Sequence, residues 1–329
     1  MRQRSRRPDP RRRALFTGEG AAPAATSSRS VTRNRRAVGH WDGADGRARY
    51  EAAYRTAMAE LPGPERTLDV RTGHGTVRVY RFAGRAGHGH PYPLVLLPGR
   101  ASATPVWADN LPSLLEGGDV YTIDLLGEPG MSVQEEPLEN DADQAAWLSG
   151  TLRALPEDRF HLVGLSVGGW SAVNLALHDA GKIATLSLID PVHVFADMPL
   201  RTVIRSLPAS LPWLPKSWRD AFNSYTAGGA PVEEIAVAAM IEAGMQHYRM
   251  QLPQPARIPE DRLGELRMPV LAVIAGRSVM HDAGSAVSTA DRVLPDGTVH
   301  HYRYASHAVN GEEPQRLAAD LARFLARQR

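Results

Sequence analysis

The 329-residue chain contains no cysteine, which excludes disulfides, thiolate nucleophiles and cysteine-ligated zinc. A cytoplasmic address fits that absence. No stretch approaches the ~20 consecutive apolar residues that a membrane span needs. No clustered His/carboxylate set, such as His-x-x-x-His on a helix, is present, so no metal site is expected. No glycine-rich phosphate loop or dinucleotide fingerprint follows a strand pattern, so no cofactor is expected either.

The charge is unevenly spread. The whole chain carries +2, yet residues 1–36 hold 11 arginines against Asp9 and Glu19. That segment therefore carries +9 and the remainder −7. With Pro8, Pro10, Pro23 and an Ala/Ser/Thr run, its composition predicts a disordered Arg-rich extension over residues 1–40. The arginine pairs invite an export-signal reading. However, Ala14-Leu15-Phe16 runs straight into Thr17-Gly18-Glu19-Gly20, so the apolar region of such a signal is missing. No aromatic side chains interleave the arginines, so no nucleic-acid partner is indicated. We expect this segment to be dispensable for function.

What is present is an alternation of strand and helix patterns. Residues 45–61 read as a helix, and Thr67–Arg71 with Thr76–Phe82 read as a hairpin around Gly73-His74-Gly75. Short continuous apolar runs then recur at 93–97, 120–126, 159–164, 183–189 and 270–275. Such runs mark strands buried on both faces of a parallel sheet. Helical patterns separate them at 105–115, 141–155, 167–180 and 283–294, and a last helix covers 314–326. The fold class is therefore α/β, a mostly parallel doubly wound sheet whose reactive loops lie at the carboxyl ends of the strands. Residues 191–268 break the rhythm and are rich in Pro, Trp and Met. They predict a helical cap insertion into a core made of residues 41–190 and 269–329.

The most informative stretch is Gly164-Leu165-Ser166-Val167-Gly168-Gly169. It follows an apolar run and opens an amphipathic one, so a serine stands at the apex of a strand–turn–helix. Glycines at 164 and 168 suit a turn that leaves no room for a bulky Cβ. The helix beginning here aims its free N–H groups at the hydroxyl.

With this motif the chain resembles the α/β-hydrolase superfamily over about residues 65–327. Pro98-Gly99-Arg100, with Trp107 downstream, is similar to the family's His-Gly-x motif, with proline in the histidine's place. Asp124-Leu125-Leu126-Gly127-Glu128-Pro129-Gly130-Met131-Ser132 is similar to its Asp-x-x-Gly-x-Gly-x-Ser loop, lengthened by one residue. A tight turn is the expected role of that loop. The resemblance implies Ser166 as nucleophile and His307, on the loop after the last strand, as base. The backbone N–H groups of Arg100 and Val167 would form the oxyanion hole. A serine at 166 sets aside the family's aspartate-nucleophile chemistries.

The acid departs from the pattern, because the region after Ala275 reads Gly276-Arg277-Ser278-Val279-Met280-His281-Asp282. Asp190, ending the run before it in the chain, is preferred, and Asp282 is the rival. The implied activity is a serine hydrolase acting on a small-molecule carboxylic ester. Cleavage of a C–C bond, lactone, thioester or peptide, and a non-catalytic ligand-binding role, remain as alternatives. Trp107, Trp213 and Trp218 are expected to line the substrate pocket. Nothing in the sequence assigns an oligomeric state.

Overall fold

The computed structural model describes residues 38–85, 90–209, 216–229 and 235–328. The predicted extension thus lies almost wholly outside the described residues. His40–Trp41 already form a short strand, β1, followed by helix α1 (Gly43–Met58). Then come β2 (Arg66–Thr72), β3 (Gly75–Phe82), β4 (Leu94–Leu97), α2 (Leu111–Leu115), β5 (Val120–Ile123) and β6 (Val133–Gln134). Next are α3 (Asp141–Ala154), β7 (Phe160–Leu165), α4 (Val167–His178) and β8 (Ile183–Ile189). Then follow α5 (Leu200–Ala209), α6 (Lys216–Thr226), α7 (Ala236–His247) and β9 (Tyr248–Arg249). The chain closes with α8 (Glu260–Leu263), β10 (Val270–Ala275), α9 (Ala283–Val293), β11 (Gly297–Tyr302), α10 (Val309–Glu312) and α11 (Pro314–Ala326).

The main sheet runs β11-β10-β8-β7-β4-β5-β3-β2, with β6 added to β3. The six strands from β11 to β5 are parallel, and the β3–β2 edge is antiparallel. From β4 the chain proceeds to β5 on one side, and from β7 to β8 on the other. Neighbouring strands that lead away in opposite directions open a crevice at their carboxyl ends, where ligands bind in such sheets. The strands alternate their side chains between two buried faces. Val95, Leu97, Leu162, Leu188 and Ile274 join one core with α3, α4 and α9, while Leu96, Val163, Ile189 and Val273 join the other with α1 and α11. Full burial on both sides is why these strands read as unbroken apolar runs.

Two features differ from those predicted. The helical pattern at 105–115 splits into a 3-10 turn at Thr104–Trp107 and the short α2, because Pro112 can stand only in a helix's first turn. Val194, Phe195, Ile258, Leu263 and Leu266 pack into the sheet core, although they fall within the predicted insertion 191–268. The N-terminal elements pack against later parts of the chain. β1 pairs with β9, the Asp42 N–H donates to the His247 carbonyl, and Tyr50 and Tyr54 of α1 are buried. Among the described residues no helix is long and apolar enough to cross a membrane.

Candidate active site

Ser166 stands between β7 and α4 with φ 54° and ψ −115°. A non-glycine residue there is strained by about 1–3 kcal/mol and persists only where its surroundings enforce it. The enforcement is visible. The Ser166 N–H donates to the Ile189 carbonyl (2.9 Å), while the N–H groups of Gly169 and Trp170 donate back to the Ser166 carbonyl. A Cβ on Gly164 would strike the Gly168 carbonyl, and one on Gly168 would strike the carbonyls of Leu97 and Pro98. The two glycines are thus needed for close approach between the turn, its own helix and the loop after β4.

Two further loops converge on this serine. His307, past the end of β11, places Nε2 2.9 Å from Ser166 Oγ. Its Nδ1 lies 2.6 Å from Asp190 Oδ2. Asp190 ends β8, is fully buried, and adopts φ 42°. Its N–H donates to the Val273 carbonyl of β10, while Oδ1 accepts from the Ala275 N–H (2.9 Å) and Oδ2 from the Ser278 hydroxyl (2.6 Å). Burial alone would raise this carboxyl. The imidazoles of His281 and His307 more than offset that and hold it well below the usual carboxylate range. An ionised acid against Nδ1 keeps the proton there and leaves Nε2 free to accept one from the serine.

Asp282 is not at this cluster. It is the N-cap of α9, its side chain accepting from the Ser285 N–H at 2.8 Å. Ser278, at the place where the family pattern puts an acid, instead donates to Asp190. A hydroxyl is no substitute for an acid, which is why Ser278 drew no role from sequence, but here it hydrogen-bonds the Asp190 carboxylate that faces His307.

The loop after β4 lies against Ser166, since a Cβ on Gly99 would stand 3.5 Å from Ser166 Cβ. Among the described residues, neither the Arg100 nor the Val167 N–H donates to another group. The next residue, Ala101, sits at φ 54°, and its N–H donates to Glu128 Oε2 at 2.9 Å. Glu128 is buried, which raises its carboxyl above the ordinary value. Asp124 accepts from the Thr104 N–H and hydroxyl, the Met131 N–H and the Tyr54 hydroxyl, all at 2.8–2.9 Å. The 124–132 loop is therefore more than a tight turn. Its two acids tie down residues 101–104, a role visible only once the loops are adjacent.

The tryptophans separate. Trp107 is fully buried beneath α11, beside Asn110, Ser187 and Leu317, so it packs the sheet core rather than facing a substrate. Trp218, on α6, is 52% exposed. Trp213 lies outside the described residues. Among the described residues no group of three or more His, Cys, Asp or Glu is arranged to hold a metal ion.

Residues 94–320 match the alpha/beta hydrolase family. The uncharacterized carboxylesterase nap of Bacillus subtilis (strain 168) is 21% identical over 291 residues, which cover 85% of this chain and 93% of that protein. The crystal structure of naproxen esterase (carboxylesterase NP) from Bacillus subtilis superposes with a TM-score of 0.78 at 21% identity, covering 86% of this chain and 99% of the other. N-formylmaleamate deformylase of Pseudomonas putida is 33% identical over 136 residues, 41% of this chain and 47% of its own length.

Proposed function

The chain belongs to the alpha/beta hydrolase family and is a hydrolase of that type, and from this premise we infer that it cleaves carboxylic esters through a Ser166–His307–Asp190 triad and an acyl-enzyme. The observation that carries the reading is the position of one imidazole, 2.9 Å from Ser166 Oγ on one side and 2.6 Å from Asp190 on the other. The likeness to the Bacillus subtilis carboxylesterase, in sequence and in structure, supports an ester as the substrate class.

Ser166 Oγ attacks the ester carbonyl as its proton passes to His307 Nε2. Asp190 keeps the other ring proton on Nδ1 and stabilises the imidazolium so formed. The N–H groups of Arg100 and Val167, with the positive end of α4, receive the charge that develops on the carbonyl oxygen. Collapse breaks the bond to the alkoxy oxygen, which leaves with the proton from Nε2. A water then gives its proton to Nε2 and its oxygen to the acyl carbon, and the serine recovers its proton as the acid departs. Trp218 and the cap contribute apolar surface to the bound chain.

The tests are labelling by a fluorophosphonate probe and turnover of p-nitrophenyl esters of increasing chain length. The wild type should be labelled once and should turn over the esters. Ser166→Ala should do neither, with a loss on the order of 10⁴-fold or more in kcat. Ester turnover by folded Ser166→Ala would refute the mechanism. An unlabelled wild type would favour a non-catalytic binding role. The deformylase relative supports a second reading, hydrolysis of an N-formyl amide by the same groups, and an N-formyl substrate in the panel separates the two.

A further inference from the structure

An ionised carboxylate has about four acceptor positions, two on each oxygen. At Asp190 three are filled by well-aligned donors: the Ala275 N–H on Oδ1, and the Ser278 hydroxyl and His307 Nδ1 on Oδ2. A second imidazole stands at the remaining one. His281 Nε2 lies 3.0 Å from Oδ1, and the two side chains are 1% and 0% exposed. Even so, neither ring nitrogen of His281 makes an aligned hydrogen bond among the described residues. Burying an imidazole with both nitrogens unsatisfied opposes folding, and an apolar ring would fill the same space without that penalty. Catalytic hydrogen bonds, in contrast, are often poorly aligned in the resting enzyme and tighten as charge develops.

Charged and titratable groups stand around His281 on several elements. Asp190 faces it from the end of β8, with His307 beyond on the loop after β11. Asp282 adjoins it at the start of α9, its carboxylate engaged by the Ser285 N–H, and Arg201 of α5 faces Asp282.

We propose that His281 is a positioning residue of the triad, donating Nε2–H to the fourth acceptor position of Asp190 and so setting how much of the carboxylate's charge is left for His307. The proposal rests on the triad reading above. Its sign is fixed. A donor on Oδ1 draws on the charge that would otherwise hold a proton on His307, and removing it leaves His307 more basic. The acid limb of kcat/KM, which reports His307 losing its proton in the free enzyme, then moves to higher pH.

His281→Phe removes the donor and keeps a ring, while His281→Gln restores an N–H at similar reach. With kcat/KM for p-nitrophenyl butyrate followed from acid to alkaline pH, the limb should rise by about half a pH unit or more in the Phe variant. In the Gln variant it should return close to the wild-type position. A limb unmoved in the folded Phe variant overturns the proposal and leaves His281 a packing role. Should that variant not fold, the wild type decides, by nitrogen-15 NMR of its histidines before and after a fluorophosphonate adduct forms on Ser166. The adduct fixes His307 as the imidazolium. His281 should carry its proton on Nε2, and that resonance should shift when the adduct forms. An unprotonated Nε2, or a resonance that does not move, overturns the proposal alone. Failure to form the adduct, seen by intact mass, takes down the triad reading as well.

Discussion

Replacing Asp190 with asparagine is the perturbation whose outcome the structure constrains most tightly. An amide keeps one acceptor oxygen and turns the other into an NH₂ donor. The Ala275 N–H at Oδ1 is a backbone donor that cannot be reversed, so the amide oxygen must face it. The NH₂ then faces Ser278 and His307. The serine hydroxyl can rotate to accept, but the imidazole can accept only by giving up the Nδ1 proton. That places its proton on Nε2, opposite Ser166, where it can no longer act as a base. A wrong tautomer in a buried triad costs about 10⁴-fold in kcat, about 5 kcal/mol of barrier. Asp282→Asn should instead be mild, within about twofold, because asparagine is an equally good N-cap and α9 keeps its bond to Ser285. The assay is kcat on p-nitrophenyl butyrate for both variants, with circular dichroism to establish folding. Asp190→Asn within tenfold of wild type would refute the tautomer argument, and a reversed ranking would move the acid to Asp282.

Four other outcomes are expected. A chain starting at Val38 should keep its thermal midpoint and kcat, whereas one starting at Pro62 loses the buried Tyr50 and Tyr54 of α1 and should be destabilised by about 3–6 kcal/mol in urea unfolding. Trp107→Ala should cost about 3–5 kcal/mol of stability through a core cavity. Trp218→Ala should change stability by less than about 0.5 kcal/mol and shift the preferred acyl length across a p-nitrophenyl ester series; an unshifted series would leave Trp218 outside the pocket. Burial, with His90 and Arg159 nearby, lowers the His161 pKa to about 4. From about pH 6.5 down to 4 the unfolded chain therefore binds a proton that the folded chain does not, and stability falls as pH falls. The loss should be about 2 kcal/mol between pH 7 and 5, a dependence that His161→Gln should flatten.

The parallel strands were legible because burial on both faces leaves unbroken apolar runs, as in Ile183–Ile189 and Val270–Ala275. The strand–turn–helix around Ser166 was legible because close backbone approach requires glycine on either side. Other features depend on contacts that no local pattern encodes. Sequence preferred Asp190 but left Asp282 as a rival, since each follows a strand and only the neighbouring β8, β10 and β11 decide which loop meets His307. Ser278, His281 and Glu128 carry no spacing signature, because their partners Asp190 and Ala101 are remote in the chain. Trp107 was misread because its distance from Pro98 places it near the site in sequence, while its ring turns into the core beneath α11. The β1–β9 pairing involves two residues on each side, too few to show alternation.

The central claim is that Ser166 carries the acyl group. Acid-quenched reaction with a slowly deacylated p-nitrophenyl ester, followed by peptide mass analysis, tests it directly. The account predicts a burst of about one equivalent of p-nitrophenol, with the acyl mass on the peptide containing Ser166. Steady ester turnover without a burst and without acyl mass on that peptide, or an acyl group found on another residue, would contradict it.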